Sequence, residues 1–188
     1  FRQAQFRWQA DHMKVAGRIK NEITIHSGYS VSIDTIGEGA GVYSRAVEIC
    51  QESNGKLDEE TIISCKYSEV AKTSSGKDLT DITGQYTFAN MRAYLFWAVR
   101  DWLNPDNNTG AMLPPGGSFM EEATEIKWSF LSNGRIIIEP KEDIKERLGH
   151  SIDEFDALAN TFHPKAVEMT GVNALPNYRD DDIDDILY

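Results

Sequence analysis

Apolar side chains fall at helical spacing over residues 9–26, where Met13, Ala16, Ile19 and Ile23 share one stripe. VSIDTI (31–36) alternates with the period of a strand and stops at the glycine-rich GEGAG (37–41). A second helix is predicted after it, with Val42, Ala46 and Ile49 facing inward. TIISC (61–65) is a short β-rich run. Residues 66–87 have no clean period and many Ser, Thr and Gly, the mark of a functional or disordered loop. Phe88, Met91, Leu95 and Trp102 predict a strong helix, followed by a turn-rich connection over 104–117 and a short helix ending near Ile126. WSFLSNGRIIIEP (128–140) reads as a hairpin, with Asn133-Gly134 predicted to form a type I′ turn. A last helix carries SIDEFDALANTF (151–162), with Ser151 as its expected N-cap. Strands alternating with helices predict an α/β layer fold without internal repeats.

Composition narrows the class. The 188 residues suit one domain with a tail, 40% hydrophobic and 26% charged, which is globular rather than disordered. No apolar run is long enough for a transmembrane helix. FRQAQFRWQ at the start is polar and basic, unlike a signal peptide, and a first residue that is Phe1 rather than Met suggests a piece of a longer chain. Cys50 and Cys65 make neither a disulfide framework nor a zinc ribbon, so a reducing compartment is expected. Lys and Arg number 19 against 30 Asp and Glu, a net charge of −11, so a domain-wide basic footprint for nucleic acid is absent and any such surface must be local. Five aspartates sit in DDDIDD (180–185); without residues 179–188, 18 bases stand against 25 acids, a net charge of −7. That tail reads as a solvated end or as a docking peptide, because Ile183, Ile186, Leu187 and Tyr188 interleave with the acids. A division into a body (1–165) and an extension (166–188) follows.

Two positions stand out chemically. Asp34 lies at the carboxyl end of a strand, where ligands of open α/β sheets sit; it is placed either to hold a cation or to close a turn. Gly37, Gly39 and Gly41 do not make a dinucleotide loop, and a tight turn that lets another backbone or DNA come close suits them better. In the last helix Ile152, Phe155, Ala159 and Phe162 form the buried stripe. At about 100° per residue, Asp156 falls at its edge and Asp153 one step further out. An acid at a core margin is costly unless paired or bound to a cation. Two hard carboxylates from distant elements suit Mg²⁺ or Mn²⁺. His12, His26, His150 and His163 lack zinc spacing, and neither a nucleophile elbow nor a P-loop is present. Lys66, Lys72, Lys77, Arg92, Lys141 and Lys145 would line the rim, as phosphate contacts or as surface scatter. Trp8, Trp97, Trp102 and Trp128 are expected in the core rather than as base-stacking platforms.

The order of these motifs resembles the nuclease domain of the large terminase subunit of tailed bacteriophages. FRWQADHMKVAGRI is similar to the family's strand end and first crossing helix, and VSIDTIGEGAGV to its strand, aspartate and glycine-rich turn. FANMRAYLFWAVRDWL resembles its Asn-x-Arg-Ala helix, and GRIIIEPKEDIKERLGHSIDEFDALANTF its closing segment. The resemblance implies an RNase H-like (ribonuclease H/integrase-type) mixed sheet flanked by helices and lacking its first strands. It implies an endonuclease that cuts concatemeric double-stranded viral DNA with two metal ions. It also implies an ATPase domain, a small terminase subunit and a portal as partners, and the cytoplasm of a bacterial host, in a phage or prophage protein. Asp34 matches the family's second acidic position, Asp156 its third, and Asp153 the place of an auxiliary ligand. The first acidic residue matches nothing in residues 1–8 and is expected roughly twenty residues upstream, by the length of a strand and turn. Ile152 stands where members commonly have Pro, which predicts a less sharply defined helix start. A junction-resolvase-type nuclease, and a non-catalytic module docking through its acidic tail, are the competing readings.

Overall fold

The computed structural model describes residues 11–26, 29–113 and 117–170. Helix α1 (His12–Ile25) starts at Asp11, whose carboxylate accepts hydrogen bonds from the backbone N–H groups of Met13 and Lys14. It packs against α2 (Gly39–Glu52) beside strand β1 (Val31–Asp34). Ala16 and Ile23 meet Ala46, Cys50 and Ile62 in a small cluster, with Ile19, Val31, Ile33, Tyr43, Val47, Ile49 and Leu57 around it. The predicted stripe is displaced at its start, because Met13 lies 57% exposed. Val42 is likewise only half-buried, and α2 turns Ala46 and Cys50 fully inward.

Strand β2 (Ile62–Cys65) pairs in parallel with β1, from Val31 opposite Ile62 to Asp34 opposite Cys65, with α2 as the crossover. The segment after β2 has no regular element and is ordered by turns. Lys72 bridges Asp78, and Thr80 bridges Thr87. Asp81 gathers the N–H groups of Thr83, Gln85 and Tyr86 and the Thr83 hydroxyl on one carboxylate. Burial alone would raise the Asp81 pKa, but those hydrogen bonds outweigh it and hold the carboxyl below its ordinary range.

Helix α3 (Met91–Leu103) is the centre of the main core and is buried over most of its circumference. Asn90 caps it by accepting from the Ala93 N–H. Its first amides also leave the helix: Met91 N–H donates to the Glu69 carbonyl at 2.7 Å, and Arg92 N–H to that of Tyr67 at 3.1 Å. The chain after β2 is thereby fastened to the start of α3.

Helix α4 (Phe119–Glu125), strands β3 (Trp128–Phe130) and β4 (Ile136–Ile138), and helices α5 (Lys141–Leu148), α6 (Asp153–Asn160) and α7 (Pro164–Thr170) complete the order. Helix α7 crosses position 165, and its Ala166 is buried. β3 and β4 are antiparallel, and Thr87 and Ala89 exchange backbone hydrogen bonds with Ile136 on the other side of β4. The described strands make two small two-stranded sheets rather than one mixed sheet. The hairpin does not close with a type I′ turn. Gly134 takes a positive φ (78°) but Asn133 does not, and Gly134 N–H donates to Leu131 while Leu131 N–H donates to Arg135. That is a type I turn followed by a glycine bulge. β3 lies on the surface, so Trp128 is 46% exposed while Trp97 and Trp102 are core. Trp8 lies outside the described residues.

Helix α6 is not capped by Ser151. Its N-cap is Ile152, which offers no side-chain acceptor. The acceptor comes from α4: Glu122, 1% exposed, takes the Phe155 N–H at 2.7 Å and the Ser118 hydroxyl at 2.6 Å. Glu154 of α6 returns the contact by accepting the Phe119 N–H at the start of α4. Two helix starts thus trade glutamates. Glu122→Ala leaves the Phe155 donor buried without a partner and is expected to cost about 1–3 kcal/mol, read as a lower urea midpoint; an unchanged midpoint would contradict this capping role.

Candidate metal centre

Asp34 ends β1, and its Oδ1 accepts the Ile36 N–H at 3.0 Å in a tight turn. The Asp34 side chain has no other hydrogen bond among the described residues. Thr35 continues the pairing, donating its N–H to the Cys65 carbonyl and sharing a hydrogen bond with the Ser64 hydroxyl. The glycines explain how the chain turns straight into α2. A Cβ on Gly39 would stand 1.7 Å from the Asp34 carbonyl oxygen, and one on Gly41 would stand 2.7 Å from the His12 ring. The close backbone for which the glycines make room is the chain's own.

Asp156 approaches from α6. Phe155 and Ala159 bury the helix face beside it, and the Asp156 side chain is 13% exposed, at the core margin where its spacing puts it. Both of its oxygens are engaged. Lys141 Nζ lies 2.5 Å from Oδ2, and the Tyr67 hydroxyl donates to Oδ1 at 3.3 Å. Burial pushes the Asp156 carboxyl up, against Lys141, Arg92 and Tyr67, which pull it down.

The two aspartates share neighbours. Burial pushes the Cys65 thiol up to about 12, helped by the negative charges of Asp34, Glu69 and Asp156. Burial raises the Tyr67 phenol as well, followed by the charge of Asp156, with Asp34 contributing. Asp34 stands opposite Cys65 in the strand pairing, Asp156 accepts from the Tyr67 hydroxyl, and α6 packs beside β1. Asp153 is exposed on the first turn of α6 and joins neither carboxylate. Among the described residues no three His, Cys, Asp or Glu side chains stand close enough to hold a metal together. The carboxylates of Asp34 and Asp156 have the oxygen-donor chemistry that suits a hard divalent cation. The Lys141 ammonium already shows positive charge accommodated at Asp156 Oδ2.

The basic residues divide. Lys66, Lys72, Lys77 and Lys145 are exposed, Lys72 and Lys77 on one tight loop and Lys66 within 3.4 Å of Glu69. Arg92 and Lys141 are half-buried and have partners within the fold, Lys141 in its pair with Asp156. Arg92 Nη1 donates to the Glu139 carbonyl at 2.6 Å, and its guanidinium lies 4.7 Å from the centre of the Phe96 ring. Burial lowers its pKa, against the charge of Asp156.

Sequence reasoning missed Tyr67. Its signal was the strand period, since Ile63, Cys65 and Tyr67 alternate onto one buried face past the end of β2.

No family model and no curated relative matches this chain. Solved structures do. The nuclease domain of the large terminase subunit gp2 of bacterial virus Sf6 is 22% identical, with a TM-score of 0.57 over 79% of this chain and 70% of its own. A lysine-to-alanine mutant of that domain with manganese is also 22% identical, with a TM-score of 0.55 over 79% of this chain and 71% of its own. The mutant with manganese and beta-thujaplicinol is 19% identical, with a TM-score of 0.58 over 85% of this chain and 75% of its own. The chain has the RNase H-like fold of phage terminase nuclease domains.

The glycine turn can be tested against a matched control. Gly39→Ala drives a methyl into the Asp34 carbonyl and is expected to cost roughly 1–3 kcal/mol, as overpacking does. Gly17→Ala, with nothing within 4 Å, is expected to be neutral or stabilising by up to about 1 kcal/mol. Thermal melts that rank the two variants equally would remove the close approach at Asp34.

Proposed function

We propose that this chain is the metal-dependent endonuclease domain of a phage DNA-packaging terminase, cutting concatemeric double-stranded DNA by two-metal hydrolysis. The observation that carries the reading is that Asp34 stands opposite Cys65 across β1 and β2, while the hydroxyl of Tyr67, two residues on, donates to Asp156. The fold supports it, as do the manganese and calcium of the similar structures. Asp34 and Asp156 would hold Mg²⁺ or Mn²⁺, with Asp153 a further oxygen donor one helical turn away. The chemistry such ions supply is activation of the attacking water and stabilisation of the leaving 3′ oxygen.

The chain's own groups do the rest. Asp34 has a carboxylate oxygen without a hydrogen bond, on a strand end fixed by its pairing with β2. Lys141 balances Asp156, so that a buried carboxylate can stay at the core margin. The exposed Lys66, Lys72, Lys77 and Lys145 would meet phosphates, which position a duplex without reading its sequence. An overall charge of −11 makes such local contacts necessary. The ATPase domain, small subunit and portal of a packaging machine, and the cytoplasm of a bacterial host, complete the proposal. Among the described residues no helix is long and apolar enough to cross a membrane.

The test is cleavage of supercoiled plasmid by the full native chain with Mg²⁺ or Mn²⁺. Asp34→Asn and Asp156→Asn are each expected to slow nicking by more than about a hundredfold, above the 10–100-fold typical of groups one shell further out. Asp153→Asn, at an exposed position one helical turn before Asp156, is expected to slow it less. Undiminished cutting by the Asp34 and Asp156 variants would overturn the assignment. DNA retained but never cut, with either ion, would point to a non-catalytic binding module.

A further inference from the structure

Tyr67 is 8% exposed, and its one side-chain polar atom reaches the candidate metal centre. The hydroxyl stands 3.3 Å from Asp156 Oδ1 and 3.3 Å from the Asp156 carbonyl oxygen. A buried phenol needs a partner for its O–H, and the described partners are both on this one residue. The ring stands edge-on to Phe96 with centroids 6.0 Å apart, and the Tyr67 carbonyl accepts the Arg92 N–H. Ring and backbone are therefore both fixed by α3.

Lys141, the other partner of Asp156, differs in kind. Its side chain is 40% exposed and has four rotatable bonds, so it can follow the carboxylate wherever the carboxylate turns. Tyr67 has two rotatable bonds, both locked by packing. Of the two contacts, only the phenol can dictate the carboxylate's orientation.

We propose that Tyr67 is a positioning residue: its hydroxyl holds Asp156 through Oδ1 and leaves Oδ2 as the cation-accepting oxygen. The inference rests on the reading of Asp34 and Asp156 as metal ligands. Groups that hydrogen-bond a ligating carboxylate orient it, and their loss typically weakens metal binding 10–100-fold.

The experiment is calorimetric titration of Mn²⁺ into the full native chain, beside metal-free melts. It compares the wild type, Tyr67→Phe and Asp156→Asn at a temperature where all are folded. Tyr67→Phe keeps the ring and its packing and removes only the hydroxyl. The expected result is a Kd for Mn²⁺ at least about tenfold weaker in Tyr67→Phe, and binding lost in Asp156→Asn. A purely structural role would lower the melting temperature and leave the Kd of the folded protein unchanged. Loss of binding in Asp156→Asn with an unchanged Kd in Tyr67→Phe would overturn the positioning role alone. Asp156→Asn binding as the wild type does would overturn the metal reading, and this inference with it.

Discussion

A carboxylate drawn into the edge of a hydrophobic core is the constraint around which this fold is arranged. Removing an ionised group from water costs several kcal/mol unless partners replace the water. Asp156 obtains its partners from three directions: Lys141 from α5, the Tyr67 hydroxyl from the segment after β2, and the nearby charge of Arg92 from α3. None of the three is adjacent in sequence. Their convergence requires α5, α6, the end of β2 and the start of α3 to meet at one place, and that place adjoins the end of β1, where Asp34 stands.

The surroundings make the meeting point rigid. Backbone hydrogen bonds from Met91 and Arg92 fasten the chain after β2 to α3. The exchange of Glu122 and Glu154 between α4 and α6 fixes the start of the helix that carries Asp156. Gly39 brings α2 against the Asp34 carbonyl, so the second carboxylate sits on a turn without slack. Several of the chain's many acids, Asp81, Asp101 and Glu122 among them, act inside the fold as acceptors for backbone N–H groups. Of the exposed lysines, Lys66, Lys72 and Lys77 lie on the loop after β2 and Lys145 on α5, the two segments that supply Tyr67 and Lys141 to Asp156.

Local chemistry was legible in the sequence, and long-range partnership was not. The helices and strands follow from apolar spacing, and the same spacing puts the acid of Asp156 beside a buried stripe. A strand running into glycines singles out Asp34 at its end. The turn type at Asn133-Gly134 was misjudged because a bulge and a two-residue turn accept the same pair. Ser151 has the local pattern of a cap, and no local pattern reveals that Glu122, thirty-three positions before Phe155, supplies the acceptor. The charge of Arg92 suggests a surface place, and no local pattern reveals that its guanidinium reaches the Glu139 carbonyl and the Phe96 ring. Tyr67 needed the strand period to be carried two residues beyond the β-rich run.

The central claim is that Asp34 and Asp156 hold a divalent cation jointly. Anomalous scattering from crystals of the full native chain soaked in Mn²⁺ tests this most directly. The account predicts an anomalous peak within about 2.0–2.4 Å of carboxylate oxygens from both aspartates, with Lys141 Nζ displaced from Asp156 Oδ2. Crystals with manganese bound elsewhere, and with the Lys141–Asp156 pair intact beside an empty Asp34, would contradict it.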